Sequence, residues 1–209
     1  MATPPPRARG RGAFGSSAAG VSLLELLIVI ALMAAVSAVG LGGLRHARAD
    51  RAGREAARVL MHELQAVAYR ARFSATDMAV KLEQPQKGAA TMQVLTDGNG
   101  NGVKVAEVAA GIDQPVGPVR MAFTEGTARL AVSRPIPTTD HGDVLPAGSF
   151  PVRFGVAPYI SFSPRRTGSS GSIYVVGPEG AHYAIRVLGS TGRLRLLCLN
   201  VEAFKWESC

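Results

Sequence analysis

From Val21 to Leu44 the chain reads VSLLELLIVIALMAAVSAVGLGGL, with Glu25 its one charged residue. The uncharged part, Leu26–Leu44, would span roughly 28 Å as a helix, close to the roughly 30 Å hydrocarbon core of a bilayer. The pattern predicts a membrane helix or an export signal, and the run is longer than the roughly 7–15 apolar residues of an ordinary secretory signal. Beyond Leu44 the period changes. Ala56, Val59, Leu60, Leu64, Val67 and Ala68 form an apolar stripe at helical spacing, and Arg45, Arg48, Arg51, Arg54 and Arg58 recur along another side. One helix is therefore expected, with a transmembrane half over 21–44 and an amphipathic half over 45–74. After Ser74 the pattern shortens to alternations bounded by Gly, Pro, Asn and Asp. Strands are predicted over Met78–Leu82, Met92–Leu95, Val119–Phe123, Ala128–Val132, Val152–Phe154, Ile160–Phe162, Ser172–Val176, Tyr183–Leu188 and Arg193–Leu199. Pro135–Phe150 reads as a long mobile loop. The expected class is α+β, a long N-terminal helix packed on an antiparallel sheet or sandwich spanning 75–209.

Composition sharpens this picture at the N-terminus. Residues 1–20 carry Arg7, Arg9 and Arg11 and no acid. Basic residues on the short side of a span hold that side in the cytoplasm, so the rest of the chain should be exported. The formal charge of +8 hints at an anionic partner, but losing those three arginines would leave +5. Seven further arginines lie between Arg45 and Arg72 against three acids. They read as a solvated face with intrahelical pairs, or as a contact with subunits or anionic lipid. Glu25 is the anomaly, because a carboxylate inside a membrane span is costly and calls for a partner.

These residues resemble a known family. Gly20-Val21-Ser22-Leu23-Leu24-Glu25-Leu26-Leu27-Ile28-Val29-Ile30 is similar to the class III leader and mature N-terminus of type IV pilins and type II secretion pseudopilins. The resemblance implies cleavage after Gly20 by a prepilin peptidase, N-methylation of Val21, and pairing of Glu25 with the N-terminal amine of a neighbouring subunit. The family usually begins with Phe or Met, so Val21 departs from it. Further along, Ile160-Ser161-Phe162-Ser163-Pro164, Thr167-Gly168, Gly171-Ser172-Ile173 and Gly192-Arg193-Leu194-Arg195 resemble the C-terminal signature of GspH/FimT-type minor pseudopilins. That signature covers roughly 159–197, and residues 75–158 match only loosely. The fold implied is pilin-like. The implied partners are other pseudopilins or minor pilins and the bacterial inner membrane, crossed once with the β-rich domain in the periplasm.

In FimT-like relatives a Gly-Arg-x-Arg element is implicated in binding DNA. Here that implicates Arg193 and Arg195, which alternate on one strand face, with Arg165 and Arg166 in a nearby loop. Scarce aromatic interleaving keeps nucleic acid the less favoured partner. An exported domain meets an oxidising compartment, where a Cys198–Cys209 bridge would tie the tail and Trp206 to the last strand. Asp97-Gly98-Asn99-Gly100-Asn101-Gly102 opens like a calcium loop, but Val108 stands where the bidentate Glu belongs and Glu107 is out of phase. A Gly/Asn-rich hairpin turn is expected there, and no metal. His46, His62, His141 and His182 share no ligand spacing and read as surface or interface residues. No Ser/His/Asp order, P-loop or dinucleotide fingerprint appears, Asp140-His141-Gly142-Asp143 reading as a turn, so a non-enzymatic protein without cofactor is expected.

Overall fold

The computed structural model describes residues 22–85, 89–140, 142–155 and 159–209, with the side chains of 38–46 outside the description. The protein is α+β with antiparallel sheets. Helix α1 covers Leu23–Ser74, and the chain divides into two units, Met1–Gly43 and Leu44–Cys209.

In the first unit, Leu23, Leu24, Leu26, Leu27, Ile28, Val29, Ile30, Leu32, Met33 and Val36 are all exposed. Five of these are consecutive, so the helix is apolar all round rather than on one stripe. Among the described residues no helix is long and apolar enough to cross a membrane; the apolar stretch read from the sequence continues over positions 38–44, whose side chains lie outside the description.

In the second unit the rest of α1 is followed by β1 (Met78–Glu83), β2 (Thr91–Thr96), the short helix α2 (Val105–Ala109), β3 (Gln114–Pro115), β4 (Arg120–Met121), β5 (Arg129–Leu130), β6 (Ile136–Pro137), β7 (Val144–Leu145), β8 (Val152–Arg153), β9 (Tyr159–Phe162), β10 (Gly171–Val176), β11 (His182–Leu188), β12 (Arg193–Asn200) and β13 (Lys205–Ser208). One sheet runs β3–β2–β1–β9, with β4 also on β2. The larger sheet runs β13–β12–β11–β10–β5, with β8 also on β10, and β6 and β7 form a separate pair.

The main core lies where α1 meets both sheets. Ala56, Ala57, Leu60, Leu64, Val67, Ala68 and Ala71 bury their side of the helix against Val80, Val94, Ile160, Ile173, Tyr183 and Ile185. The predicted stripe is therefore one position too wide: Val59 stands at its edge and is exposed, whereas Ala57 and Ala71 are buried. Small residues at these positions let the helix approach closely. Gly53 touches Gly177 and Tyr183, and the Tyr183 hydroxyl donates to the Asp50 carbonyl and carboxylate at 2.9 and 2.6 Å. Burial and then the Asp50 carboxylate hold the Tyr183 phenol above its ordinary pKa.

Because strand side chains alternate between faces, each sheet has a second face to cover. On the larger sheet Tyr174 and Ala184 meet Ile136, Leu145, Leu197, Leu199 and Trp206. On the smaller, Ala79, Leu95 and Tyr159 meet Val103 and Val108. These covers overturn two expectations. Pro135–Phe150 contains a β6–β7 hairpin rather than being a bare mobile loop. Ile136 and Leu145 are buried, Trp206 Nε1 donates to the Pro137 carbonyl at 2.7 Å, and Arg186 clamps Asp140 at 2.8 Å. Of the prolines that signalled a loop, Pro137 sits in this two-residue strand pair, where a missing N–H costs little, and Pro135 and Pro146 flank it.

The Asp97 segment is likewise no tight turn but a connection from β2 through α2 to β3. Its carboxylate accepts the N–H groups of Asn99, Gly100 and Gly102 at 2.9, 2.8 and 2.7 Å. Burial raises the Asp97 pKa, but these N–H donors outweigh it and hold the carboxyl below the usual range. Asp113 accepts the N–H of Gly98 and of Lys104, so both carboxylates serve the loop's own backbone.

His182 also departs from expectation, being 2% exposed instead of at the surface. Its Nε2 accepts the Ser133 N–H at 3.2 Å, and its Nδ1 lies 3.0 Å from the Gly180 carbonyl, so the Nδ1–H tautomer satisfies both. Burial, then the charges of Arg134 and Arg129, lower its pKa to about 4, against a partial raising by Gly180. The unfolded chain, with an ordinary histidine pKa near 6.5, binds this proton first. Stability should thus be complete above pH 6.5 and fall, by on the order of 3 kcal/mol, as pH drops towards 4. Urea midpoints measured from pH 7 to 5 should show this slope, and His182→Gln should flatten it.

Candidate anion-binding cleft

The candidate site is assembled by two turns and the last three helical turns of α1. After β9 the chain reverses at Ser163–Thr167, with the Ser163 N–H on the Thr167 carbonyl at 2.8 Å and the Arg166 N–H on the Ser163 carbonyl at 3.1 Å. Arg166 takes a left-handed conformation there, φ 65°. The turn between β11 and β12 closes with the Gly192 N–H on the Leu188 carbonyl at 2.8 Å. Two bonds lash the segments together: the Gly168 N–H to the Gly189 carbonyl, and the Gly189 N–H to Ser170 Oγ, both 2.9 Å. Gly192 is a required glycine. Its φ is 61°, and a Cβ there would lie 3.0 Å from the Arg166 carbonyl oxygen and 3.2 Å from Arg72 Nη2.

The result is a cleft of about 330 Å³ lined by Arg72, Arg166, Arg193 and Arg195, with Tyr69 and Gln65 on the helix side. Arg193 and Arg195 share one exposed face of β12, while Leu194 and Leu196 between and beyond them pack on the core. Among the described residues none of these four arginines has a carboxylate in ion-pair range. Some other arginines of the chain are paired: Arg186 with Asp140, Arg120 with Glu63, Arg54 with Asp50 and Arg58 with Glu55. The Arg72 guanidinium lies over the Tyr69 ring at 5.3 Å from its centroid, and its Nε is buried without a hydrogen-bond partner. Four uncompensated guanidiniums converging on one hollow favour an anion, with planar forks suited to phosphate or carboxylate oxygens.

Of the residues singled out from sequence, Arg166, Arg193 and Arg195 thus come together, and Arg165 is exposed but does not line the cleft. Arg72 and Tyr69 escaped notice, since nothing in local spacing ties position 72 to position 193. Cys198 and Cys209 are joined by a disulfide. Glu25 stands exposed in the first turn of α1. Gly20 and Val21 lie outside the described residues, as does His141, and the side chain of His46 is likewise not described. No group of histidine, cysteine and acidic side chains able to hold a metal occurs among the described residues. No family model, no curated protein and no solved structure matches the chain.

Proposed function

We propose that the protein is a minor pseudopilin of the H type, a non-enzymatic subunit of the periplasmic pseudopilus of a type II secretion system. It would wait in the inner membrane with its N-terminus cytoplasmic, be cut after Gly20 by a prepilin peptidase, and be methylated at Val21. The observation that carries this reading is the all-round exposure of apolar side chains from Leu23 to Val36. A helix that is apolar on every side needs lipid or neighbouring helices around it. Glu25, the one acid of that segment, would then meet the N-terminal amine of a neighbour in the filament, and the pilin-like β-rich unit would face outward.

Removing one partner of a buried ion pair costs about 3–5 kcal/mol, a factor of a hundred or more in an equilibrium. Glu25→Ala should therefore leave membrane insertion intact and abolish co-purification with the other pseudopilins. Co-assembly at wild-type levels would contradict the reading.

A second reading, a FimT-like minor pilin that binds DNA, is favoured by the unpaired arginine cleft. Phosphate contacts release counterions, so binding should weaken steeply with salt. The double variant Arg193→Gln, Arg195→Gln should reduce the logarithmic salt slope by about 2. A gel-shift titration at several salt concentrations checks this, and absence of binding at low salt excludes it.

A further inference from the structure

Rings flank the arginines in space although they do not alternate with them in sequence. Tyr69 lines the cleft, and with one ring face under the Arg72 guanidinium it is still 67% exposed. Phe73 follows four residues later on the same side of α1, about one turn away, and is 96% exposed. Tyr69 therefore joins the cleft to a second, fully exposed ring. A duplex keeps its bases paired and stacked inward, so it offers this surface only phosphates. A single strand can lay its phosphates along the basic groove and turn its bases onto the rings beside it.

We propose that this face binds single-stranded nucleic acid, with phosphates on Arg166, Arg193 and Arg195 and successive bases stacked on Tyr69 and Phe73. Arg72 is the positioning residue: its guanidinium, wedged beside the Gly192 turn, fixes the Tyr69 ring. The inference rests on the DNA-binding reading of the cleft and adds to it the strandedness of the ligand and two contact residues on the helix.

The test uses the full chain in a nonionic detergent and fluorescence anisotropy at low salt. Its probes are a labelled oligothymidylate, an abasic strand of equal length, and a duplex. The thymidine strand should bind about tenfold or more tighter than the abasic strand, from the known strength of base–aromatic stacking. Tyr69→Leu with Phe73→Leu should erase that preference, bringing the thymidine strand to the affinity of the abasic strand measured on the same variant, since both rings are exposed and leucine keeps the helix. Arg193→Gln with Arg195→Gln should weaken both strands alike. Equal affinity for thymidine and abasic strands, or a preference that survives loss of both rings, overturns the stacking while leaving phosphate binding in place. Tighter binding of the duplex than of the thymidine strand overturns the single-strand assignment. No binding of any probe at low salt overturns the DNA-binding reading itself, and the stacking with it.

Discussion

Replacing Gly53 with leucine is expected to destabilise the Leu44–Cys209 unit by about 3 kcal/mol or more, the sum of overpacking and an orphaned hydroxyl. In an ordinary exposed helical position the change would be favourable, since glycine costs near 1 kcal/mol against alanine. Here a Cβ would lie 2.8 Å from Gly177 Cα and 2.9 Å from Tyr183 Cε2. The helix would have to lift away from β11. Tyr183 is 1% exposed, and its hydroxyl reaches Asp50 only because Gly53 lets the backbones close in. Lifting the helix leaves that hydroxyl buried without an acceptor. For a domain of this size the loss corresponds to a fall in melting temperature of roughly 6–12 °C. Gly53→Ala should show a smaller fall in the same direction. A leucine variant that melts with the wild type would show that no such close crossing exists.

The second large effect concerns the C-terminal tail. The Cys198–Cys209 bridge closes a loop with a sequence separation of 11, for which chain entropy predicts a stabilisation of about 3 kcal/mol. Its structural consequence is specific. The bond sits at the end of β13, whose Trp206 crosses to the outer face of the larger sheet, 5.8 Å from the Tyr174 ring. There it also holds the β6–β7 hairpin through the Pro137 carbonyl. In the double variant Cys198→Ala, Cys209→Ala, β13 should fray from β12. Trp206 is the single tryptophan of the chain, so its emission should shift to the red, and the melting temperature should fall in parallel. An emission maximum identical to wild type would mean that the strand pairing and the Tyr174 contact hold the tail without the covalent link.

These two effects also mark where local pattern ends and tertiary geometry begins. All nine predicted strand segments contain strands of the structure, because alternation is a local signal that burial on one face imposes directly. β3, β13 and the β6–β7 pair went unseen for a different reason. Lys205–Ser208 and Ile136–Pro137 are short and polar or proline-containing, and they become strands only because a partner strand or a hydrophobic face is already there. The Asp97 segment showed its glycines and its oxygens, yet the destination of those oxygens, the loop's own N–H groups, depends on Asp113 and Glu107 folding back from α2. His182 was misread because one histidine in a strand pattern carries no mark of burial. At the cleft, the alternation of Arg193 and Arg195 was legible, and Arg166 followed from the family signature. Arg72 and Tyr69 enter it only through the packing of α1 beside the β11–β12 turn, a contact between residues more than a hundred positions apart.

The proposed role as a pilin-like subunit requires that the chain be processed at the membrane face. An intact-mass measurement on protein extracted from the membrane of its native host tests it most directly. The expected mass is that of a chain beginning at Val21, heavier than its sequence mass by one CH2, a methyl replacing a hydrogen on the terminal amine, and lighter by two hydrogens for the Cys198–Cys209 bond. A mass retaining residues 1–20, or a terminus elsewhere in the apolar segment, would contradict it.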